Sequence, residues 1–175
     1  MRWSWRAGCP VPLSNLRYLT LAYVGFDGRT HSGELVVHRD AVVDVTAALR
    51  ALYEADFPIR QMRLADDYRG NDRVSMAADN SSAFNCRPST GSPNTWSQHS
   101  YGRAIDLNPV ENPYLSGRGG VQPAAGAPFV DRRRARPGMI LPGGRIIRSF
   151  AAVGWSWGGG WRGTKDLQHF SANGK

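Results

Sequence analysis

The sequence predicts an α+β fold: a small antiparallel sheet flanked by helices, with long irregular loops. Two segments near the start are rich in β-branched and aromatic residues and are separated by turn chemistry, which reads as a hairpin. Two other stretches repeat apolar residues at helical spacing. The 20 Gly and 11 Pro among 175 residues exceed the ordinary share, demand many turns and argue against a helical bundle.

In chain order, RYLTLAYVGF (Arg17 to Phe26) and GELVVH (Gly33 to His38) form the hairpin around FDGRTH. Asp40 offers an N-cap to a helix over residues 41–55, where Val42, Val45, Leu49, Leu52 and Tyr53 share one face. Pro58 marks its end. PIRQMRLADDY then reads as a strand, residues 66–82 as a polar loop, and SAFNCR as another short strand. AIDLN alternates, so Ile105 and Leu107 enter the core while Asp106 points the other way. Gly102 and Pro109 bracket that segment and argue against a helix. Residues 112–144 are rich in Gly and Pro and lack periodicity, which reads as a long irregular excursion. Ile146, Ile147, Phe150 and Val153 define a second helix closed by Gly154. A Trp/Gly loop, WSWGGGWRG, leads into DLQHF as a final strand. No repeat or linker divides the chain, so the expectation is one domain over 1–175.

No run approaches the ~18 apolar residues of a membrane span. The opening MRWSWRAGCPVP lacks the apolar stretch of a signal peptide, so the chain as given is expected to be soluble, whether or not a leader once preceded it. The net charge is +8, and 20 of the 22 basic residues are Arg. Such a balance attracts polyanions: nucleic acid, anionic membranes or cell-wall polymers. The densest cluster, DRRRARPG, has no interleaved aromatics and no nucleic-acid motif, and reads as a solvated loop. Cys9 and Cys86 are either free buried thiols or one disulfide, and neither belongs to a CxxC. We favour the disulfide, which implies an oxidising compartment.

Four His are present. His31 and His38 lie in or beside the hairpin and read as lone surface or core residues. His99 and His169 each have a carboxylate close in sequence. Together with Asp106 they supply two imidazoles and one carboxylate, the complement of a catalytic zinc site with its fourth position open. The alternation at AIDLN puts this site on the sheet face. Asp166, in the turn entering the last strand, would lean over the metal and take a proton from a metal-activated water. Arg87 would polarise a carbonyl or hold a carboxylate. The glycines of GGGW are not a phosphate loop, because the Lys and Ser/Thr of that motif are missing.

SQHSYGRAID resembles the SxHxxGxAxD signature of the zinc D-alanyl-D-alanine carboxypeptidase family, which includes vancomycin-resistance D,D-peptidases and phage L-alanyl-D-glutamate endolysins. The family's second element, an acidic residue shortly before a His, is matched by DLQHF after a GGxW loop. The likeness runs from about Phe57 to Phe170, which leaves 1–56 as an N-terminal hairpin and helix and 57–170 as the catalytic core. The resemblance implies one Zn2+ held by His99, Asp106 and His169, with Asp166 as catalytic base and Arg87 stabilising the attacked carbonyl. Ser97 and Trp161 would line the substrate site, Trp161 being equally readable as a packing aromatic. Two positions depart from the pattern: many members carry Glu at the place of Asp166, and Cys86 replaces an aromatic before the Arg.

The expected function is therefore zinc-dependent hydrolysis of peptidoglycan stem peptides, as a D-Ala-D-Ala carboxypeptidase or an L-Ala-D-Glu type endopeptidase. The chain would act as a monomer, extracellular or associated with the cell wall, with anionic wall polymers as further partners and no nucleic acid. An inactive zinc-containing binding module and a basic nucleic-acid binder are the rival readings.

Overall fold

The computed structural model describes residues 1–175. β1 (Leu16–Val24) and β2 (Thr30–His38) pair antiparallel over their whole length, from Leu16 opposite His38 to Val24 opposite Thr30. α1 (Val42–Tyr53) follows and buries Val45, Ala48, Leu49 and Leu52, the face set by their spacing. Asp40 does not cap it. A short 3-10 turn, Arg39–Ala41, intervenes, and the His38 ring accepts from the Asp40 N–H while the Asp40 carboxylate pairs with Arg103 at 2.9 Å.

The next segment departs further from the sequence expectation. β3 (Gln61–Met62) is only two residues long, because the chain turns into a 3-10 helix at Ala65–Tyr68. The expected loop 66–82 contains α2 (Asp72–Ala77), whose first turn is closed by Asn71 Oδ1 accepting from the Val74 N–H. Six residues are too few to display a helical period. β4 (Asn80–Ser81) pairs parallel with β3. SAFNCR is extended but forms no strand of its own. Ser82 bridges to Asp106, Phe84 N–H donates to Val36 O, Asn85 N–H to His99 O, and Cys86 N–H to Ser4 O. Its hydrogen bonds go to four separate segments, so no ladder develops.

The remaining strands are short: β5 (Pro88–Ser89), β6 (Ser92–Trp96), β7 (Ala104–Asp106), β8 (Tyr114–Leu115), β9 (Val121–Gln122), β10 (Ser156–Trp157), β11 (Lys165–Asp166) and β12 (His169–Ser171). α3 (Arg145–Ala151) precedes β10. The fold is α+β, but the expected single small sheet is divided into five, with strand orders β10-β12-β7 and β11-β8-β9 for the two three-stranded ones. Strands of two or three residues between Gly and Pro turns cannot extend a common ladder. The DLQHF strand is likewise two: Asp166 belongs to β11, His169 to β12, in different sheets.

One core joins the hairpin, α1, β7, α3 and β12. Leu35, Val37, Leu52, Ile105, Phe150 and Phe170 are buried in it, and the Phe150 and Phe170 rings stack with centroids 3.9 Å apart. The 112–144 excursion is mostly irregular yet firmly anchored. Arg132, inside the basic cluster expected to be solvated, is partly buried and donates to Glu111 O, Phe129 O, Ile140 O and Asn112 Oδ1. Arg133 and Arg134 do face solvent. Cys9 and Cys86 form a disulfide that ties the N-terminal segment to the middle of the chain. No helix is long and apolar enough to cross a membrane.

Candidate metal centre

The centre is built on the β7–β12 pair. Phe170 stands opposite Ile105, and both are fully buried in the core. One residue away in register, His169 stands opposite Asp106, so the pleat turns both to the other face. His99 joins them from the 3-10 turn Gln98–Tyr101 just before β7. That turn starts at Ser97, whose hydroxyl accepts from the His99 N–H at 3.3 Å, and it ends at Gly102. Gly102 has φ +64°, and a Cβ there would lie 2.5 Å from the His38 backbone nitrogen. Only glycine permits both the left-handed turn and the close approach to β2.

The three side chains are buried and mutually close. His99 Nε2 lies 3.1 Å from Asp106 Oδ2, His169 Nδ1 lies 3.0 Å from Asp106 Oδ1, and the two nitrogens are 3.2 Å apart. The tautomers follow from the outer nitrogens. His99 Nδ1 is 2.6 Å from the Ala83 carbonyl and His169 Nε2 is 3.1 Å from the Lys175 carbonyl. A carbonyl only accepts, so each outer nitrogen donates its proton and each inner nitrogen presents a lone pair. A carboxylate and two imidazole lone pairs therefore converge, an arrangement that could hold a metal ion. Burial alone would raise the Asp106 carboxyl, but His99 and His169 outweigh it and hold the carboxyl far below its ordinary range. Burial would likewise lower His169, yet Asp106 outweighs it and raises the imidazole above its ordinary value.

The donor set fits zinc. Two neutral imidazoles and one carboxylate are a known catalytic complement, and ligands at ~2.0–2.1 Å around a tetrahedral ion stand about 3.3 Å apart. The observed separations of 3.0–3.2 Å are close to that value.

Asp166 shares the cleft. The break between β11 and β12 removes the strand geometry that would send residues three apart to opposite faces. Its Oδ1 is enclosed and has no hydrogen-bond partner. Burial, and next the Asp106 charge, push its carboxyl up to about 6, with His169 and His99 opposing. The expectation of a turn position for Asp166 is corrected: it lies in β11, opposite Tyr114.

The cleft, of about 530 Å³, is lined by Arg87, Ser97, Tyr114, Trp161 and Lys175 as well as by His99, His169 and Asp166. Six of the seven residues singled out in the sequence thus line one cleft, and the seventh, Asp106, is buried against its two His at 3.1 and 3.0 Å. Arg87 Nε is 3.0 Å from Asp72 Oδ1 at the start of α2, an ion pair the sequence did not reveal. Ser100, fully buried, accepts from the Arg87 N–H at 2.8 Å and donates to the Arg87 carbonyl at 2.7 Å. His31 and His38, read as lone, have acidic neighbours, Asp27 at 2.9 Å and Asp40 at 3.4 Å, but neither joins a metal-ligating cluster. Other contributors went unread: the Ala83 and Lys175 carbonyls, Ser100, and Gly158, where a Cβ would lie 2.8 Å from Asp166 O and 3.3 Å from His169 Cβ. The first two are backbone groups without a residue-type signal. Gly158 does sit in the GGGW run, which was its one visible trace.

The α+β fold thus brings a His-Asp-His cluster that could hold a metal ion and a carboxylate of raised pKa into one cleft. Residues 90–172 match the family model described as D-alanyl-D-alanine carboxypeptidase, so the chain is similar to that family over this segment. No curated protein and no solved structure matches the chain.

Proposed function

We propose that the chain is a zinc peptidase that hydrolyses peptidoglycan stem peptides. The family match supports a peptidase for peptidoglycan-like substrates. The observation that carries the finer reading is the His99–Asp106–His169 triangle with Asp166 beside it in the same cleft. Held by those three side chains, zinc would polarise the scissile carbonyl and lower the pKa of a water toward ~7. Asp166, ionised above about pH 6, accepts a proton from the attacking water and returns it to the leaving amine as the C–N bond breaks. Arg87, steadied by Asp72 and Ser100, faces the negative charge that develops on the carbonyl oxygen. Ser97 and Trp161 line the path of the peptide.

The disulfide supports an extracellular or wall-associated location. The +8 charge suits anionic wall polymers, and the chain would act there as a monomer.

The test is mass spectrometry of purified peptidoglycan fragments with and without a chelator, for the native chain and Asp166→Ala. The native chain should cleave a stem-peptide bond only with metal present. Asp166→Ala should keep its zinc and lose cleavage by at least about a hundredfold. Undiminished cleavage by Asp166→Ala would remove the base from the mechanism. A zinc-loaded native chain that cleaves nothing would favour the inactive binding module.

A further inference from the structure

The segment after β12 does not simply trail away from the centre. Gly174 N–H donates to Ser171 O at 3.4 Å and turns the chain back with φ +76°. Lys175 N–H donates to Asn173 Oδ1 at 3.1 Å, which completes the turn. Two contacts then fasten it to the site. Trp161 Nε1 donates to the Gly174 carbonyl at 2.8 Å, and the next carbonyl, Lys175 O, receives the His169 Nε2 proton at 3.1 Å. The Trp161 ring also lies against His169, with centroids 5.5 Å apart.

We infer that Trp161 and the 173–175 turn form a clamp that positions His169 as a metal ligand, a role beyond contact with a peptide. The inference rests on the metal reading of the triangle. The physical reason is tautomeric. A proton held on Nε2 by the Lys175 carbonyl leaves the Nδ1 lone pair facing Asp106 and His99, and it also fixes the ring plane. His99 receives the same service from the Ala83 carbonyl, inside the folded middle of the chain. For His169 the service comes from a short, partly exposed turn that receives, apart from the His169 bond itself, one side-chain hydrogen bond from outside, that of Trp161. Trp161 touches the ligand's supports and is a positioning residue.

Zinc affinity, measured by competition with a chromophoric chelator, separates this role from mere packing. Trp161→Phe keeps an aromatic ring and removes the Nε1 donor. Gly174→Val forces a β-branched residue into the left-handed region and displaces the turn. Each should weaken zinc binding about tenfold or more, and each should alter the visible spectrum of the cobalt(II)-loaded protein. Gly160→Ala, next to Trp161 but with only open space around the added Cβ, is the control and should leave both readouts unchanged. Native affinity in Trp161→Phe and Gly174→Val would overturn the inference, as would a loss in Gly160→Ala equal to theirs. Should Gly174→Val fail to fold, Trp161→Phe alone decides. A native chain that takes up no zinc would instead refute the metal reading itself.

Discussion

At the scale of single residues, burial and neighbouring charge decide which side chains ionise. Asp106 and Asp166 share a cleft, yet Asp106 faces two imidazoles and stays ionised while the enclosed Asp166 is pushed up to about 6. A second acidic pair lies away from the site. Glu111 is buried beside Asp79, and first burial, then Asp79, push its carboxyl up to about 7 despite Arg60 at 3.7 Å. The folded chain therefore holds a proton that the unfolded chain releases near its ordinary value of 4.5. This contribution to stability is fully present below about pH 4.5 and is lost as pH rises through about 7. Glu111→Gln mimics the protonated form. In urea unfolding of metal-free protein it should match the native chain at pH 4.5 and be more stable at pH 8. A native and a variant chain that lose stability in parallel over that range would exclude Glu111 as the source.

At the scale of elements, the hairpin and the two longer helices were legible because their periods are long enough to be seen. β1, β2, α1 and α3 lie within a few residues of their expected ranges. α2 and the two-residue strands were not legible, since each is defined by partners distant in sequence and too short to show a pattern. The GGGW loop illustrates the difference. Its glycines read only as part of a Trp/Gly loop, but Gly158 is where the loop meets β11 and β12, 3.0 Å from Asp166 Cβ by the position of its missing Cβ. Gly158→Ala should therefore cost about 1–3 kcal/mol and cut peptidase activity about a hundredfold by shifting Asp166 and His169, the proposed base and metal ligand. Gly160→Ala, which meets only open space, is the control and should leave thermal unfolding and turnover alone. Equal behaviour of the two variants would show that Gly158 merely shapes a loop.

At the scale of the whole molecule, the Cys9–Cys86 disulfide spans 77 residues and closes the N-terminal segment over the strip that leads to Arg87. Arg6 strengthens the closure by donating to the Cys86 carbonyl at 2.7 Å. Chain entropy puts the contribution of such a link at about 4 kcal/mol. Denaturant unfolding with and without reductant, or of the Cys9→Ser/Cys86→Ser double variant, should show a loss of that order. A midpoint indifferent to reductant would mean that packing of the segment, not the link, holds it in place.

What the sequence determined by itself was the set of groups that meet at the cleft. His99, Asp106, Asp166 and His169 are chemically distinctive, and all four stand in two short motifs, SQHSYGRAID and DLQHF. The alternation of AIDLN correctly divided Ile105 from Asp106 between core and cleft. The tertiary structure alone decided how these groups are held: the tautomers set by the Ala83 and Lys175 carbonyls, the Asp72 partner of Arg87, and the break that turns Asp166 and His169 to one cleft. The reason is physical. Chemistry resides in side chains, which the sequence names, whereas positioning here resides in backbone carbonyls and close approaches that many residue types supply and only the folded chain brings together.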